Sequence, residues 1–292
     1  MGDFILYLLY RLLGLLVNIL PEAIAYQIGK RFGDLAYWIL PKRRQLARKN
    51  LQLALDIDDS KVNKLVRANF QHLGMVLIEF LRLGQLTEEN IDEFIEIEGL
   101  KYLKQAQQDD RGFVLFTGHF GNWEVMGAAL ALQGFPINAL ARDQSNELIN
   151  EDILATRESK GINIFPNKGL VIKQAYRALK RGEGLFVLGD QKSRHAEHYV
   201  ELFGCKALTR LGTVELAART NSVVIPIYIL RREDRGYKII AKEPVEVPDN
   251  ITDAEKKEIM SDLYNGLEEM IRKYPAQWMW MHDRWKGSPD IE

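Results

Sequence analysis

The chain has 292 residues, 47% hydrophobic and 27% charged, with 39 Lys+Arg against 40 Asp+Glu. That composition excludes a disordered chain and has room for one large folded domain or two modest ones. A net charge of −1 gives no global sign of nucleic-acid binding, and the single cysteine, Cys205, excludes an intrachain disulfide framework and zinc sites made of several thiolates.

Phe4 to Leu20 is apolar apart from Arg11, Gly14 and Asn18. As a helix it would measure roughly 25 Å, short of the ~30 Å hydrocarbon core. A mid-helix arginine adds about 2.5–3.5 kcal/mol to the cost of insertion. Tyr7, Arg11, Gly14 and Asn18 fall on one narrow polar stripe. A helix lying in the membrane interface or re-entering it, a single span, and a helix packed on a neighbour all remain open. Ala23-Ile24-Ala25 imitates a signal-peptide cleavage site, but no Lys or Arg precedes Phe4 and Arg11 interrupts the apolar run, so cleavage is not expected. Leu6 stands where a myristoylation signal needs Ser or Thr.

A second apolar segment, Ala23 to Leu40, is cut by Lys30 and Arg31 and stops at Pro41. Lys42-Arg43-Arg44, then Arg48 and Lys49, form a basic cluster. Beside an apolar helix such a cluster points to an anionic membrane surface and puts the following chain on the cytoplasmic side. The alternative is a solvated basic helix face. On these grounds residues 1–44 are expected to form a helical membrane-associating region and residues 45–292 a separate, larger domain.

Gln45 to Leu83 has helical periodicity through Val62, Val66, Phe70, Leu73, Leu77 and Phe80. Strand-like runs follow at Phe94–Ile97, Phe113–Phe116, Ile137–Leu140, Ile162–Phe165, Leu185–Leu188, Val223–Ile229 and Tyr237–Ile240. Helical stretches separate them at Val125–Leu132, Ile149–Lys160, Leu170–Arg181 and Leu211–Arg219, and a closing helix runs from about Asp253 to Lys273. The alternation predicts an α/β domain with a largely parallel sheet flanked by helices. Cys205, in Phe203-Gly204-Cys205-Lys206, has no base beside it and reads as a small core residue.

The chemistry centres on the end of the strand Phe113–Phe116. Thr117-Gly118 close it and His119 follows, where open α/β sheets place their ligands. Asn122 is a suitable N-cap for the next helix, and Glu124 falls in its first turn. His119 and Glu124 are expected to face each other, the carboxylate holding one imidazole nitrogen and leaving the other free as a base. There is no Gly-x-Ser-x-Gly elbow, and the lone cysteine lies elsewhere. A base without an enzyme nucleophile suits direct attack by a substrate hydroxyl on an acyl carbonyl.

His119-Phe-Gly-Asn-Trp-Glu124 resembles the His-x4-Asp/Glu motif of glycerolipid acyltransferases, in the form found in the lipid A late acyltransferase family, which is related to phosphatidylinositol mannoside acyltransferases. The resemblance spans nearly the whole chain. Arg48-Lys-Asn50-Leu, Arg142, Arg157, Leu188-Gly-Asp190-Gln191, Leu202-Phe-Gly204 and Pro275-Ala-Gln277-Trp-Met-Trp280-Met-His282-Asp-Arg284-Trp285-Lys286 match its blocks in order. The text around His195, Glu197 and His198 departs from the pattern, which puts the acceptor or donor pocket in doubt.

The resemblance implies an O-acyltransferase with His119 as base and Glu124 as its orienting carboxylate. Backbone N–H groups of Gly121, Asn122 and Trp123 are candidate oxyanion donors. Arg142 and Arg157 are candidates for binding acceptor phosphates, phosphopantetheine or the oxyanion. Asp190 and Gln191 are expected at the pocket, Asp190 organising it from a strand end. The resemblance implies, as acyl donor, a thioester of acyl carrier protein or coenzyme A, with no cofactor and no metal. The acceptor is a membrane glycolipid, a lipid A precursor ahead of a phosphatidylinositol mannoside. The place of action is the cytoplasmic face of the plasma (inner) membrane, single-pass or peripheral, with no nucleic-acid partner. A lipid or thioester hydrolase and an inactive lipid-binding relative are the competing classes. Trp278, Trp280 and Trp285 are expected to pack a C-terminal tail over the core, ahead of forming an interfacial belt.

Overall fold

The computed structural model describes residues 2–166, 170–192, 196, 198–234 and 236–291. Four helices come first: α1 (Gly2–Ile19), α2 (Glu22–Ile39), α3 (Pro41–Ala54) and α4 (Asp59–Leu81). The helical pattern from Gln45 onward is therefore two helices. It breaks at Leu55–Asp58 because Asp58 caps α4, its carboxylate accepting from the Lys61 N–H at 3.0 Å. The 44/45 boundary falls inside α3, which runs through it unbroken.

After α5 (Ile91–Phe94), β1 (Ile95–Glu98) and α6 (Leu100–Gln108) come β2 (Phe113–Thr117), α7 (Trp123–Leu132), β3 (Ile137–Ala141), α8 (Glu147–Glu158), β4 (Asn163–Pro166), α9 (Val171–Lys180) and β5 (Gly184–Leu188). A hairpin of β6 (His198–Leu202) and β7 (Cys205–Thr209) follows, then α10 (Gly212–Thr220), β8 (Val223–Arg231), β9 (Tyr237–Ala241) and α11 (Asp253–Lys273).

The main sheet has seven strands in the order β1-β9-β8-β2-β5-β3-β4, and only the β8–β9 pair is antiparallel. All seven correspond to the strand-like runs, and the largely parallel α/β architecture is as expected. The hairpin was not anticipated. Phe203 and Gly204 turn it with φ of 57° and 71°, the backbone of a two-residue turn in which both residues have positive φ.

Strand alternation divides the core into two layers. Val114 and Phe116 of β2 and Val224, Tyr228 and Leu230 of β8 pack with α3, α4, α9, α10 and α11. Phe113, Leu115, Val223, Ile225, Ile227 and Ile229 pack on the opposite face with α6 and α7. With both faces covered, β2 is buried throughout, and its C-terminal end opens on the site.

The N-terminal helices are not a detached unit. α2 lies against α4, Gly33 meeting the Phe70 carbonyl and Gly74 meeting Gly29. α1 shows its apolar side outward, with Leu9, Leu12, Leu15 and Ile19 all exposed.

Candidate active site

β2 and β5 run parallel with Thr117 opposite Leu188, so both chains leave the sheet side by side. Gly189 permits this approach, since a Cβ there would lie 2.2 Å from the Phe116 ring. Asp190 then reaches the loop after β2, where one carboxylate oxygen accepts from the His119 backbone N–H at 2.7 Å. The other accepts from His119 Nδ1 at 2.7 Å. The Trp278 indole N–H adds a third bond at 2.8 Å. Burial by itself raises the pKa of Asp190, but the charge and hydrogen bonds of His119, with help from Trp278, outweigh it and hold the carboxyl below its ordinary value.

The tautomer follows from these contacts. A carboxylate can only accept, so His119 Nδ1 carries the proton and Nε2 presents its lone pair. Gln191 Nε2 sits 3.2 Å from that lone pair and donates to it. A group arriving at the base must therefore displace the Gln191 amide.

Glu124 is not the carboxylate on His119, which corrects the expected facing pair. Its oxygens accept from Arg157 Nε at 2.9 Å and Nη2 at 2.7 Å, a bidentate pair reaching across to α8. The physical reason is the direction of the helix: the first turn of α7 points Glu124 toward α8, whereas β5 delivers Asp190 to the imidazole. Trp123 links the two parts of the motif. Its ring lies edge-on to His119 with centroids 4.9 Å apart, and its indole N–H donates to Glu124 at 3.1 Å. Burial disfavours the Arg157 charge, but the bonds and charge of Glu124 outweigh it, so the pKa of Arg157 is raised. Arg157, a candidate for binding acceptor phosphate, phosphopantetheine or the oxyanion, is thus paired with Glu124.

The loop itself is held from three sides. Asn122 caps α7, accepting from the Val125 N–H at 3.2 Å. Gly121 has φ +61°, and a Cβ there would meet the Ile229 carbonyl at 1.8 Å, so only glycine fits. Its N–H donates to the Gln277 carbonyl at 2.9 Å and is not open to an oxyanion. Its own carbonyl accepts from the buried His72 at 2.9 Å. Burial, then the nearby Arg231, pushes the pKa of His72 down to about 3, keeping the ring neutral.

Behind Asn122 lies a buried charged cluster. Glu79 of α4 accepts from Arg231 Nη2 at 2.6 Å, the Tyr237 hydroxyl at 2.5 Å and the Asn122 amide at 2.7 Å. A second nitrogen of Arg231 donates to Glu79 and to Tyr26 of α2. Glu79 and Arg231 carried no recognisable signal in the sequence, because a lone Glu and a lone Arg 152 positions apart resemble any surface pair.

The closing run from Pro275 lies over the loop, as expected of a tail packed on the core. Phe120 bridges Trp278, and the Met279 N–H donates to the His119 carbonyl at 3.0 Å. Trp278, Trp280 and Trp285 are buried, clustered around Phe203. Asn69 holds the Ala276 and Trp278 carbonyls, and Asn50 the Trp280 and His282 carbonyls. His282 accepts from the Lys192 N–H at 3.1 Å, next to Gln191. Apart from Arg142, the separate blocks of the sequence thus meet in one network around the histidine loop.

Arg142 is exposed on the loop after β3, outside this network. Cys205 is half-buried in β7, and burial raises its thiol pKa. His195 and Glu197 lie outside the described residues. Among the described residues no group of three or more His, Cys, Asp or Glu is placed to hold a metal. Three arginines of the basic cluster bond within the chain, Arg43 to the Met281 carbonyl, Arg44 to the Tyr37 carbonyl and Arg48 to Asp59, while Lys42, Arg43 and Lys49 are exposed.

An apolar cleft of about 380 Å³ opens at the C-terminal end of β5, lined by Leu140, Ile172, Val187, Leu188, Leu216 and Met260. Gln191, which touches the base, lines it as well.

The family described as Bacterial lipid A biosynthesis acyltransferase matches residues 3–287. The chain is 28% identical to the Lipid A biosynthesis lauroyltransferase of Escherichia coli K12, covering 94% of this chain and 89% of that protein. It is 27% identical to the Lipid A biosynthesis palmitoleoyltransferase of the same organism, covering 92% and 87%. It is 23% identical to the Phosphatidylinositol mannoside acyltransferase of Mycolicibacterium smegmatis, covering 92% and 88%. A family match over nearly every residue that forms the sheet, the histidine loop and the closing run makes this chain a member of the bacterial lipid A biosynthesis acyltransferases.

Proposed function

We propose that this acyltransferase moves a fatty acyl chain from an acyl thioester to a hydroxyl of a glycolipid, with His119 as general base and Asp190 as the carboxylate that orients it. The observation that carries the reading is the buried Asp190–His119 pair, whose Nε2 lone pair faces Gln191 beside an apolar cleft. Among the described residues no Ser, Thr or Cys side chain is hydrogen-bonded to His119, which supports direct transfer without an acyl-enzyme.

The acceptor hydroxyl displaces the Gln191 amide and donates to Nε2. His119 takes its proton as the oxygen attacks the thioester carbonyl, and Asp190 stabilises the imidazolium that forms. As the tetrahedral intermediate collapses, the C–S bond breaks and the proton passes from His119 to the departing thiolate. An ester and a free thiol result. Glu124 and Arg157 act as positioning residues that hold Trp123 against the imidazole. The apolar cleft suits the acyl chain.

Two of the relatives are named for lipid A and one for phosphatidylinositol mannoside, which favours a lipid A precursor as acceptor. Either acyl carrier protein or coenzyme A would serve as thiol carrier, and the setting is the cytoplasmic face of the inner membrane. Purified protein given an acyl thioester and a glycolipid should form the ester and consume the thioester only when acceptor is present. Release of free fatty acid at the same rate without acceptor would identify a hydrolase instead. His119→Ala should abolish turnover, and a covalent acyl adduct trapped on the protein would overturn direct transfer.

A further inference from the structure

Helix α1 is long and apolar enough to cross a membrane, with a mean hydropathy of 1.5 over Gly2–Ile19. Its packing argues otherwise. The helix is tied to the catalytic domain along its whole length. Near its start, Asn146, the N-cap of α8, donates to the Asp3 carbonyl at 2.8 Å. In the middle, Arg11 pairs with Asp152 of α8 at 3.1 Å. At the far end, Asn18 donates to the Leu81 carbonyl at 2.8 Å, Arg82 donates to the Val17 and Leu20 carbonyls, and Gln85 donates to the Asn18 carbonyl at 3.0 Å. Val17 is fully buried against Ala25 and Ile78.

The polar stripe of the helix is therefore its docked face. The opposite face carries Ile5, Leu8, Leu9, Leu12, Leu15, Leu16 and Ile19, each about half exposed or more. These recur at spacings of three and four and form one apolar stripe. The partner alongside is α8, which has no fully buried residue and bears Glu147, Glu151, Asp152, Arg157 and Glu158. Standing α1 across a bilayer would either carry this charged helix into hydrocarbon or break every tether.

We infer that α1 lies in the plane of the membrane, docked on the catalytic domain by its polar stripe, with its apolar stripe sunk into one leaflet carrying anionic headgroups. The exposed apolar residues of α2, including Trp38 and Ile39, extend this surface. Lys42, exposed just beyond them in the chain, supplies charge complementary to anionic lipid, and the Arg31 guanidinium is exposed on their other side, paired with Asp34 at 3.1 Å. The inference rests on the reading that the enzyme works at a membrane, and the following test separates the two.

Single cysteines at Gly2→Cys and Ala23→Cys, in a Cys205→Ser background, are labelled with a membrane-impermeant maleimide in inside-out and right-side-out vesicles from cells making the full chain. An in-plane helix labels at both positions in inside-out vesicles only. Labelling of Gly2→Cys in right-side-out vesicles, with Ala23→Cys labelled in inside-out ones, means that the helix spans and overturns the proposal. Recovery of the protein in the soluble fraction, with no flotation on phosphatidylethanolamine–phosphatidylglycerol vesicles, overturns the membrane reading itself. In the same flotation assay Leu9→Glu/Leu12→Glu should lower vesicle partition by at least about 10²-fold. Acyl transfer to detergent-dispersed acceptor should stay unchanged. Undiminished partition of this variant would show that the stripe is not the contact.

Discussion

Asp190 and Glu124 are both carboxylates of the site, and only one of them holds the imidazole, so their amide variants should separate. Asp190→Asn keeps the volume of the buried group and one acceptor oxygen. It loses the fixed negative charge that demands a proton on His119 Nδ1, and its NH2 group can face Nδ1 and favour the wrong tautomer. The corresponding change in a serine protease triad costs about 10⁴ in kcat, roughly 5.4 kcal/mol. A loss of similar size is expected here, because Asp190 is buried and accepts from His119 twice. Glu124→Gln retains an oxygen for one Arg157 nitrogen and does not touch His119, so its loss should stay within about 10²-fold. The assay is single-turnover transfer from an acyl thioester to a glycolipid, read by mass spectrometry, with circular dichroism confirming that both variants fold. A larger loss for Glu124→Gln than for Asp190→Asn would refute the assignment of the orienting carboxylate.

Replacing Trp278 by Phe removes one donor from Asp190 while keeping an aromatic ring, and kcat in the same assay should fall about tenfold. Arg231→Met strands Glu79 without its counter-ion and should destabilise the fold by about 3–5 kcal/mol, a Tm fall of about 5–8 °C; the double variant with Glu79→Leu should recover part of it in a thermal melt. His72 gives a pH test. Its folded pKa, about 3, lies below the unfolded value, so stability is full above about pH 6.5 and falls as the pH drops below it. Between pH 6.5 and 5 the wild type should lose about 2 kcal/mol more than His72→Gln in urea unfolding.

The sheet was legible because its strands are short runs rich in apolar residues and bounded by turn residues, and successive residues of β8, buried on both faces, go to opposite core layers as the pleat requires. The polar stripe of α1 was legible for the same reason: helical periodicity is a local property. Asn122 as a cap and Glu124 in the first turn followed from adjacent residues. The partner of His119 did not. Asp190 stands 71 positions away, and its approach depends on β5 pairing with β2, which is a matter of strand order. Five-residue spacing made Glu124 look like the partner, but spacing cannot say which way the first turn of α7 faces. The buried Glu79–Arg231 pair was invisible for a related reason, since burial of a charge is decided by packing among α2, α4 and the end of β8.

The closing run over the histidine loop makes the base depend on residues that never meet the substrate. Trp278 reaches Asp190 across 88 positions, and residues 277 to 279 bond a loop that begins at His119. Losing that run would take one donor from Asp190 and both backbone bonds from the loop, leaving the imidazole wetter and less firmly aimed. The tail thus acts as a brace, and damage to it is expected to silence the site while every residue that touches the reacting groups stays in the chain.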